Sequence, residues 1–237
     1  MDKLIKLNNQ TAGRDKLFRL FQYSSKLIWG TLENKATNKD LLKQLKELEY
    51  VLGTGRKLFR FGRGVDTLYA ALSTLHLSDP TLRYTITFSK INMALYLITD
   101  HIIWLARAGL LDIDKAKWGK LSYKLWLFSI VMNLSRDFYE LKQILRKSSC
   151  GSLKQEMQGK LTSKHNTILS KLNLYYNVLA LHKDVVLDTI KNTCDVCLPL
   201  SQLGYLQISP KTVGLFGVIS SMAGILPLLD SSYKLTP

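Results

Sequence analysis

The sequence contains too few cysteines, prolines and glycines for several classes of protein. Its three cysteines, Cys150, Cys194 and Cys197, provide no disulfide framework, which excludes a small disulfide-stapled fold and favours a reducing compartment. Five prolines and 14 glycines among 237 residues, beside 46% hydrophobic residues, argue against a disordered chain. The chain is therefore long enough and apolar enough for one large or two smaller ordered domains.

The sequence also lacks the patterns of an enzyme or a metalloprotein. Its four histidines are scattered, and the Cys194–Cys197 pair is followed by no second pair of metal-ligand spacing. The segment Gly53-Thr-Gly55-Arg-Lys resembles a phosphate-binding loop only superficially, because the second glycine-lysine pair and the preceding strand are missing. Asp184, Asp188 and Asp195 are interpreted as the solvated side of one helix. We therefore predict no catalytic residue, no metal and no cofactor.

Acidic residues are scarce relative to basic ones, and no targeting signal is visible. There are 18 acidic and 33 basic residues, which give a net charge of +15 and imply an anionic partner such as nucleic acid, an acidic protein or anionic lipid. The basic residues form no concentrated tail, which weakens a nucleic-acid interpretation. No apolar run near the start is long enough for a secretory signal, so we expect any membrane to be reached from the cytosol.

Apolar residues recur at helical spacing along most of the chain and predict an all-α fold. Residues 14–32 and 39–52 are expected to form an antiparallel pair, because their connection is short. Residues 121–147 are expected to form a buried helix. A polar stretch at 147–164 is interpreted as a linker between an N-terminal helical region, 1–146, and a C-terminal one, 165–237.

The segment from Gly55 to Leu77 has a basic side and an apolar side when it is wound as a helix, and Gly53 and Gly55 are expected to separate it from the preceding helix. A helix with two such sides suits a membrane interface, although it also suits the surface of a soluble core. Gly62 and Gly64 each weaken a helix by about 1 kcal/mol, so lipid or a partner is expected to complete it. The side chains predicted to bind the membrane are Arg56, Lys57, Leu58, Phe59, Arg60, Phe61, Arg63, Val65, Leu68 and Leu72.

Two later segments are candidates for crossing a membrane. A helix over residues 80–108, started by Asp79 and Pro80, carries its charged positions on one stripe. It either spans the bilayer with this stripe against protein or lies flat in the interface. Residues 212–229 are uncharged and just long enough to span. Small residues that let two membrane helices approach closely are Gly214, Gly217, Ser221 and Gly224. The sequence thus predicts a helical membrane protein with amphipathic interfacial helices and one or two transmembrane helices.

Five separate stretches, in the same order, resemble the peroxin-11 family of peroxisomal membrane proteins. These stretches are Asn9–Arg19, Gly55–Gly62, Ser129–Glu140, Leu187–Asp195 and Gly214–Gly224. The resemblance covers nearly the whole chain. It matches the family's membrane-remodelling helix to the positions from Arg56 to Arg63.

The resemblance implies an integral peroxisomal membrane protein that elongates the organelle before division and regulates its number and size. It implies insertion into an anionic bilayer, self-association, and cooperation with fission adaptors and a dynamin-like GTPase, with no role for nucleic acid. Both termini would face the cytosol, which requires two spans. The alternative is a soluble, basic helical protein that binds nucleic acid or an acidic partner.

Overall fold

The computed structural model describes residues 2–33, 39–158, 176 and 179–235. These ranges contain helices and no strand, which confirms the predicted all-α class. The helices are α1 (Asp2–Asn8), α2 (Thr11–Leu32), α3 (Lys39–Phe59), α4 (Arg63–Thr74), α5 (Pro80–Arg107), α6 (Lys115–Gln158), α7 (Lys183–Gln202) and α8 (Pro210–Leu229), followed by a short 3-10 helix, Ser231–Tyr233.

Helices α2 and α3 form the expected antiparallel pair. The indole of Trp29 donates a hydrogen bond to Glu49 at 2.6 Å, and Arg56 donates to Gln22 at 2.8 Å. The first contact joins the end of α2 to the middle of α3, and the second joins the middle of α2 to the end of α3. The two helices therefore run in opposite directions. The short connection between them therefore produces the arrangement that its length indicated.

Helix α5 lies antiparallel to α3, on the side of α3 that faces away from α2. Arg107, at the end of α5, donates to the hydroxyl of Thr54 at 2.9 Å, and Arg60 donates to the hydroxyl of Tyr96 at 3.0 Å. Helix α2 therefore runs in the same direction as α5. Helix α8 packs antiparallel against α2. Helices α5 and α8 therefore cross the bundle in opposite directions.

The predicted single helix over 55–77 is wrong in its boundaries. Helix α3 continues without interruption through Gly53 and Gly55 to Phe59, and the chain breaks only before α4. Gly53 is tolerated inside α3 because the helix packs tightly on α2, where an added Cβ would lie 2.9 Å from the amide nitrogen of Gln22. The break occurs at Gly62, whose φ of +76° favours glycine.

Helix α6 is longer and more exposed than the sequence indicated. It extends to Gln158, across the first part of the predicted linker, and the remaining linker residues, 159–164, lie outside the described residues. The helix is not buried on every side, because Ile130 is covered while Phe128 and Val131 are exposed. The sides that meet α5 and α7 are covered: the hydroxyls of two serines are hydrogen-bonded across the contact with α5, and the buried Asp137 accepts from Asn192 of α7.

The start of α5 is the helix cap that the sequence predicts. One carboxylate oxygen of Asp79 accepts hydrogen bonds from the backbone nitrogens of Thr81 and Leu82 at 2.8 and 3.3 Å. The other oxygen accepts from the hydroxyl of Tyr139, at 2.8 Å, and this bond lowers the pKa of Asp79. A single side chain therefore caps α5 and fastens it to α6.

We expect Asp79→Ala to lower the midpoint of thermal unfolding of the detergent-solubilised chain by several degrees, since both the cap and the link to Tyr139 are lost. Asp79→Asn retains an oxygen for the cap and should lose less. Unfolding followed by circular dichroism would test this order. Equal midpoints for the alanine variant and the unsubstituted chain would contradict the assigned role.

The distribution of polar and apolar side chains is inverted relative to a soluble domain. Among the described residues, 16 polar or charged residues are buried, compared with 13 hydrophobic ones. Large hydrophobic side chains are exposed along α2 to α8, in rows such as Tyr84 and Phe88 on α5. Soluble monomers rarely expose apolar surface on this scale. The bundle therefore has an apolar exterior and a polar interior.

Candidate membrane interface and polar core

The apolar side of α4 faces away from the bundle. Its residues and the adjoining Phe61 are exposed to the following extents: Phe61 71%, Val65 70%, Leu68 47%, Tyr69 77% and Leu72 56%. The opposite side of α4 packs on α5 through Gly64, Ala71 and Thr74, which are buried. Four large apolar side chains on two turns of α4, together with Phe61 just before it, thus form one exposed apolar surface. We call this surface the α4 apolar face.

The basic side of the predicted interface lies inside the bundle instead of on its surface. Arg56 and Arg60 each donate a hydrogen bond to one carboxylate oxygen of Asp15, at 3.0 Å, and Lys57 forms an ion pair with Asp100. The expectation that these three cations meet lipid headgroups is therefore wrong. Helix α3 is wedged between α2 and α5, so its basic side contacts their acidic residues.

Of two other residues that were predicted to bind the membrane, one packs inside the bundle and the other lies on its surface. Phe59 packs edge to face on Phe18 of α2, with ring centroids 4.9 Å apart, and so contributes to the bundle. Arg63 has a side chain that is 45% exposed and lies 3.9 Å from Asp15. Of the four basic side chains predicted to bind the membrane, Arg63 is the one on the surface.

Burial and pairing set the charges of this cluster. Burial raises the pKa of Asp15, but Arg60 and Arg56 outweigh it and hold that pKa well below its usual range. Burial and the neighbouring Arg60 lower the pKa of Arg56 to about 10, although Asp15 opposes them. The carboxylate of Asp15 thus stays ionised, as the two buried guanidinium groups require.

The row of small residues on α8 packs against α2. An added Cβ at Gly214 would lie 2.5 Å from the backbone nitrogen of Leu27, and one at Gly217 would overlap the ring of Tyr23. Ser221 is buried in the same row, and an added Cβ at Gly224 would lie 3.1 Å from the amine of Lys16. The stripe therefore serves close helix packing, and its partner is a helix of the same chain. The opposite, exposed side of α8 consists of Leu215, Ile219, Met222 and Leu226.

We expect Gly214→Ala to destabilise the chain by about 1–3 kcal/mol, because the new methyl group collides with the backbone of α2. Gly119→Ala is the matched control. Gly119 lies inside α6 and has no atom within 4 Å of an added Cβ, so alanine should raise stability there by up to about 1 kcal/mol. Denaturant unfolding in detergent would compare them, and equal shifts for both variants would contradict the packing role.

A buried network that the sequence analysis missed joins α2, α7 and α8. The guanidinium of Arg19 forms an ion pair with Asp195 and donates to the hydroxyl of Ser220 at 2.9 Å. Asp195 was assigned to a solvated helix side, and that assignment is wrong because the residue is buried. Asp188, assigned likewise, pairs with Arg136. The sequence did contain one sign that these acids are paired inside the bundle, because they lie on helices whose neighbouring turns are apolar.

These features define a class of protein. Ionised groups pair inside a helical bundle, apolar side chains cover its outside, and this is how helical membrane proteins place their charges. Among the described residues, α8 is the one helix that is long and apolar enough to cross a membrane. The polar stripe of α5 also faces protein, since Asp100 is buried and Lys90 donates to a carbonyl of α4 at 3.1 Å.

Comparison with known proteins identifies the family. The chain belongs to the Peroxisomal biogenesis factor 11 family, which matches residues 1–229. It is 34% identical to Peroxisomal membrane protein 11B of Homo sapiens over 259 residues, with 100% of both chains covered. It is 34% identical to Peroxisomal membrane protein 11A of Homo sapiens, with 99% of both covered, and 27% identical to a Peroxisomal membrane protein 11 homolog of Dictyostelium discoideum, covering 94% of this chain and 92% of that one.

No solved structure matches the chain. The family assignment confirms the resemblance that the five sequence stretches indicated. The chain is accordingly a peroxisomal membrane protein of a family known for peroxisome proliferation and fission.

Proposed function

We propose that this chain elongates the peroxisomal membrane by placing the α4 apolar face among the lipid acyl chains of one leaflet. The observation that carries the proposal is the exposure of this face on a helix that the fold holds in place through its other side. A helix that adds volume to one leaflet bends the membrane around it. The basic side chains of α3 contribute indirectly, by fixing the helix that precedes α4.

The free energy of this insertion suits a reversible process. Transferring five side chains that are about half to three-quarters exposed offers on the order of 5 kcal/mol, at 1.5 kcal/mol or more for each fully transferred side chain. Helix α4 is already folded on α5, so little backbone entropy opposes insertion. Arg63 lies beside this face and adds at most about 1 kcal/mol of attraction to an anionic surface.

We also propose that α5 and α8 both cross the membrane. With 28 residues, α5 is about 42 Å long at 1.5 Å per residue, which exceeds the hydrocarbon thickness of about 30 Å. Its charges face protein, and its exposed side is apolar. Because α5 and α8 run in opposite directions, this topology supports both termini on one side, the cytosolic side that the resemblance implies.

The proposed partners are the anionic bilayer, further copies of this chain, and the fission adaptors and dynamin-like GTPase implied by the resemblance. The apolar rows on α5 and α8 support self-association within the membrane, where helices associate through packing. We propose no catalytic role, because the described carboxylates of the cluster, Asp15, Asp100 and Asp195, form ion pairs that hold helices together.

Carbonate extraction of cells that express the full chain tests the membrane proposal, with a peroxisomal membrane marker followed in parallel. We expect the chain to stay in the pellet with the marker and the peroxisomes to become elongated. Release into the supernatant would favour the soluble, basic alternative. Retention without elongation would leave the protein integral and contradict the remodelling role.

A further inference from the structure

A cavity of about 970 Å³ lies between helices α2 to α8 and opens to the surface of the bundle. Twelve basic and four acidic residues are among the described residues that line it. A volume of this size is typical of sites for small molecules. The membrane-remodelling proposal makes no use of this cavity, so its charge requires a separate explanation.

The acids of the cavity do not balance its cations. Each of the four already forms an ion pair with one of the basic residues, as Asp195 does with Arg19 and Asp100 with Lys57. Lys16, Lys115 and Lys120 form no ion pair among the described residues. Lys46 and Lys191 pair with acids outside the lining, Glu33 and Asp188. The cations that remain unpaired around this space favour the entry of an anion.

Among the described residues, one nitrogen of Arg19 and the amine of Lys16 form no hydrogen bond at the inner end of the cavity. The Nε atom of Arg19 is buried and has no hydrogen-bond acceptor, and an orphaned buried donor of this kind is rare. Lys16 lies one helical turn before it. Burial and the neighbouring Arg19 and Lys191 lower the pKa of Lys16 to about 7, although Asp15 and Asp195 oppose them. An anion beside these groups would supply the missing acceptor and the missing charge.

The cavity also has a basic outer part. Lys115 and Lys120, on the first turns of α6, are exposed and line it. Lys16 and Lys191 line a second cavity of about 320 Å³ as well, so the inner end has room beyond the main volume. Positive charge therefore extends from the surface to the centre of the bundle.

We propose that this cavity binds an anionic ligand that carries phosphate groups, with Lys16 and Arg19 at its inner end and Lys115 and Lys120 at its outer part. One carboxylate would leave most of the excess charge uncompensated, whereas a chain of phosphates or a phosphate headgroup spans several cations. The phosphate can belong to a soluble molecule or to a lipid. The site is independent of the α4 apolar face.

Titration of the full-length chain with sodium tripolyphosphate, in neutral detergent at fixed ionic strength, tests the site by calorimetry. We expect saturable binding with one site, and Lys16→Met should weaken it by about tenfold or more, as for the loss of one charged hydrogen bond. Lys16 has no ion pair to lose, so this variant should fold. Its midpoint of thermal unfolding without ligand checks that it does.

A matched pair on α6 separates the cavity from general attraction to a basic surface. Lys120 lines the cavity, whereas Lys124, which is one turn later and also exposed, does not. Lys120→Met should weaken binding severalfold and Lys124→Met should leave it unchanged. Equal effects of the two substitutions, or unchanged affinity of Lys16→Met, would overturn the proposal.

A second arm distinguishes the two sources of phosphate. The chain is placed in phosphatidylcholine nanodiscs with or without phosphatidic acid, and its thermal unfolding is followed. Stabilisation by phosphatidic acid that Lys16→Met removes assigns a lipid headgroup, and tripolyphosphate binding without such stabilisation assigns a soluble ligand. Absence of both effects would overturn the proposal, even if the chain still elongates peroxisomes.

Discussion

Replacing Asp15 with asparagine is expected to lower the free energy of unfolding of this protein by about 3–5 kcal/mol, the usual cost of removing one partner from a buried ion pair. Asp15 is 3% exposed and accepts hydrogen bonds from both Arg56 and Arg60. The asparagine amide has the same shape but no charge, so two buried guanidinium groups lose their counter-ion. Denaturant unfolding of the detergent-solubilised chain would measure the loss.

Asp112→Asn is the control for this experiment. Asp112 is exposed in the connection between α5 and α6 and forms no ion pair among the described residues, so the substitution should change the free energy of unfolding by no more than about 0.5 kcal/mol. Equal stabilities for Asp15→Asn and Asp112→Asn would show that the buried cluster contributes nothing. A loss of stability in both would point to a general effect of net charge.

The pH dependence of Asp15→Asn follows from the lowered pKa of Asp15. Because the folded-state pKa lies below the unfolded one, the carboxylate stabilises the fold above its unfolded pKa, and this stabilisation is lost as the pH falls through the folded value. The gap in stability between the unsubstituted chain and the variant should therefore be the same at pH 7 and pH 6. It should narrow only in strong acid.

The sequence was sufficient to predict most of the helices, but neither the boundary between α3 and α4 nor the direction in which α3 faces. Helical spacing places Arg56 and Arg60 on one side, yet it does not say whether that side meets water, lipid or protein. The deciding residue is Asp15, which lies 41 residues from Arg56 and 45 from Arg60. Contacts at such separations depend on the packing of three helices, and a local pattern does not encode that packing.

The same limit applies to the glycines. The spacing of Gly214 and Gly217 predicted a stripe of small residues on α8, and the structure packs that stripe against α2. The charged residues of α2 gave no indication of this contact. Helix propensity suggested a break at Gly53, but α3 continues through this residue where it packs on Gln22 of α2. Gly62 does break the helix, because its backbone adopts a positive φ.

The combined substitution of Val65 and Leu68 by glutamate is expected to abolish membrane elongation and leave the fold intact. Both side chains are exposed on the α4 apolar face and contribute little to the bundle. Each charge would cost about 2.5–3.5 kcal/mol at the centre of a bilayer and less near its surface. Two such charges, together with the loss of two of the five apolar side chains, offset the insertion energy, which is on the order of 5 kcal/mol. The measurement is peroxisome length in cells that express equal amounts of each full-length chain.

The control keeps the face apolar, with Val65→Leu combined with Leu68→Ile, and should elongate peroxisomes as the unsubstituted chain does.

Arg63→Gln should reduce elongation only slightly, since an exposed cation near an anionic surface adds at most about 1 kcal/mol. Because the remaining basic residues of this region are paired inside the bundle, elongation should depend far more on the apolar face than on surface charge. If the glutamate variant folds, reaches peroxisomes and still elongates them, α4 does not act through its apolar face. If Arg63→Gln alone abolishes elongation, attraction to headgroups outweighs insertion.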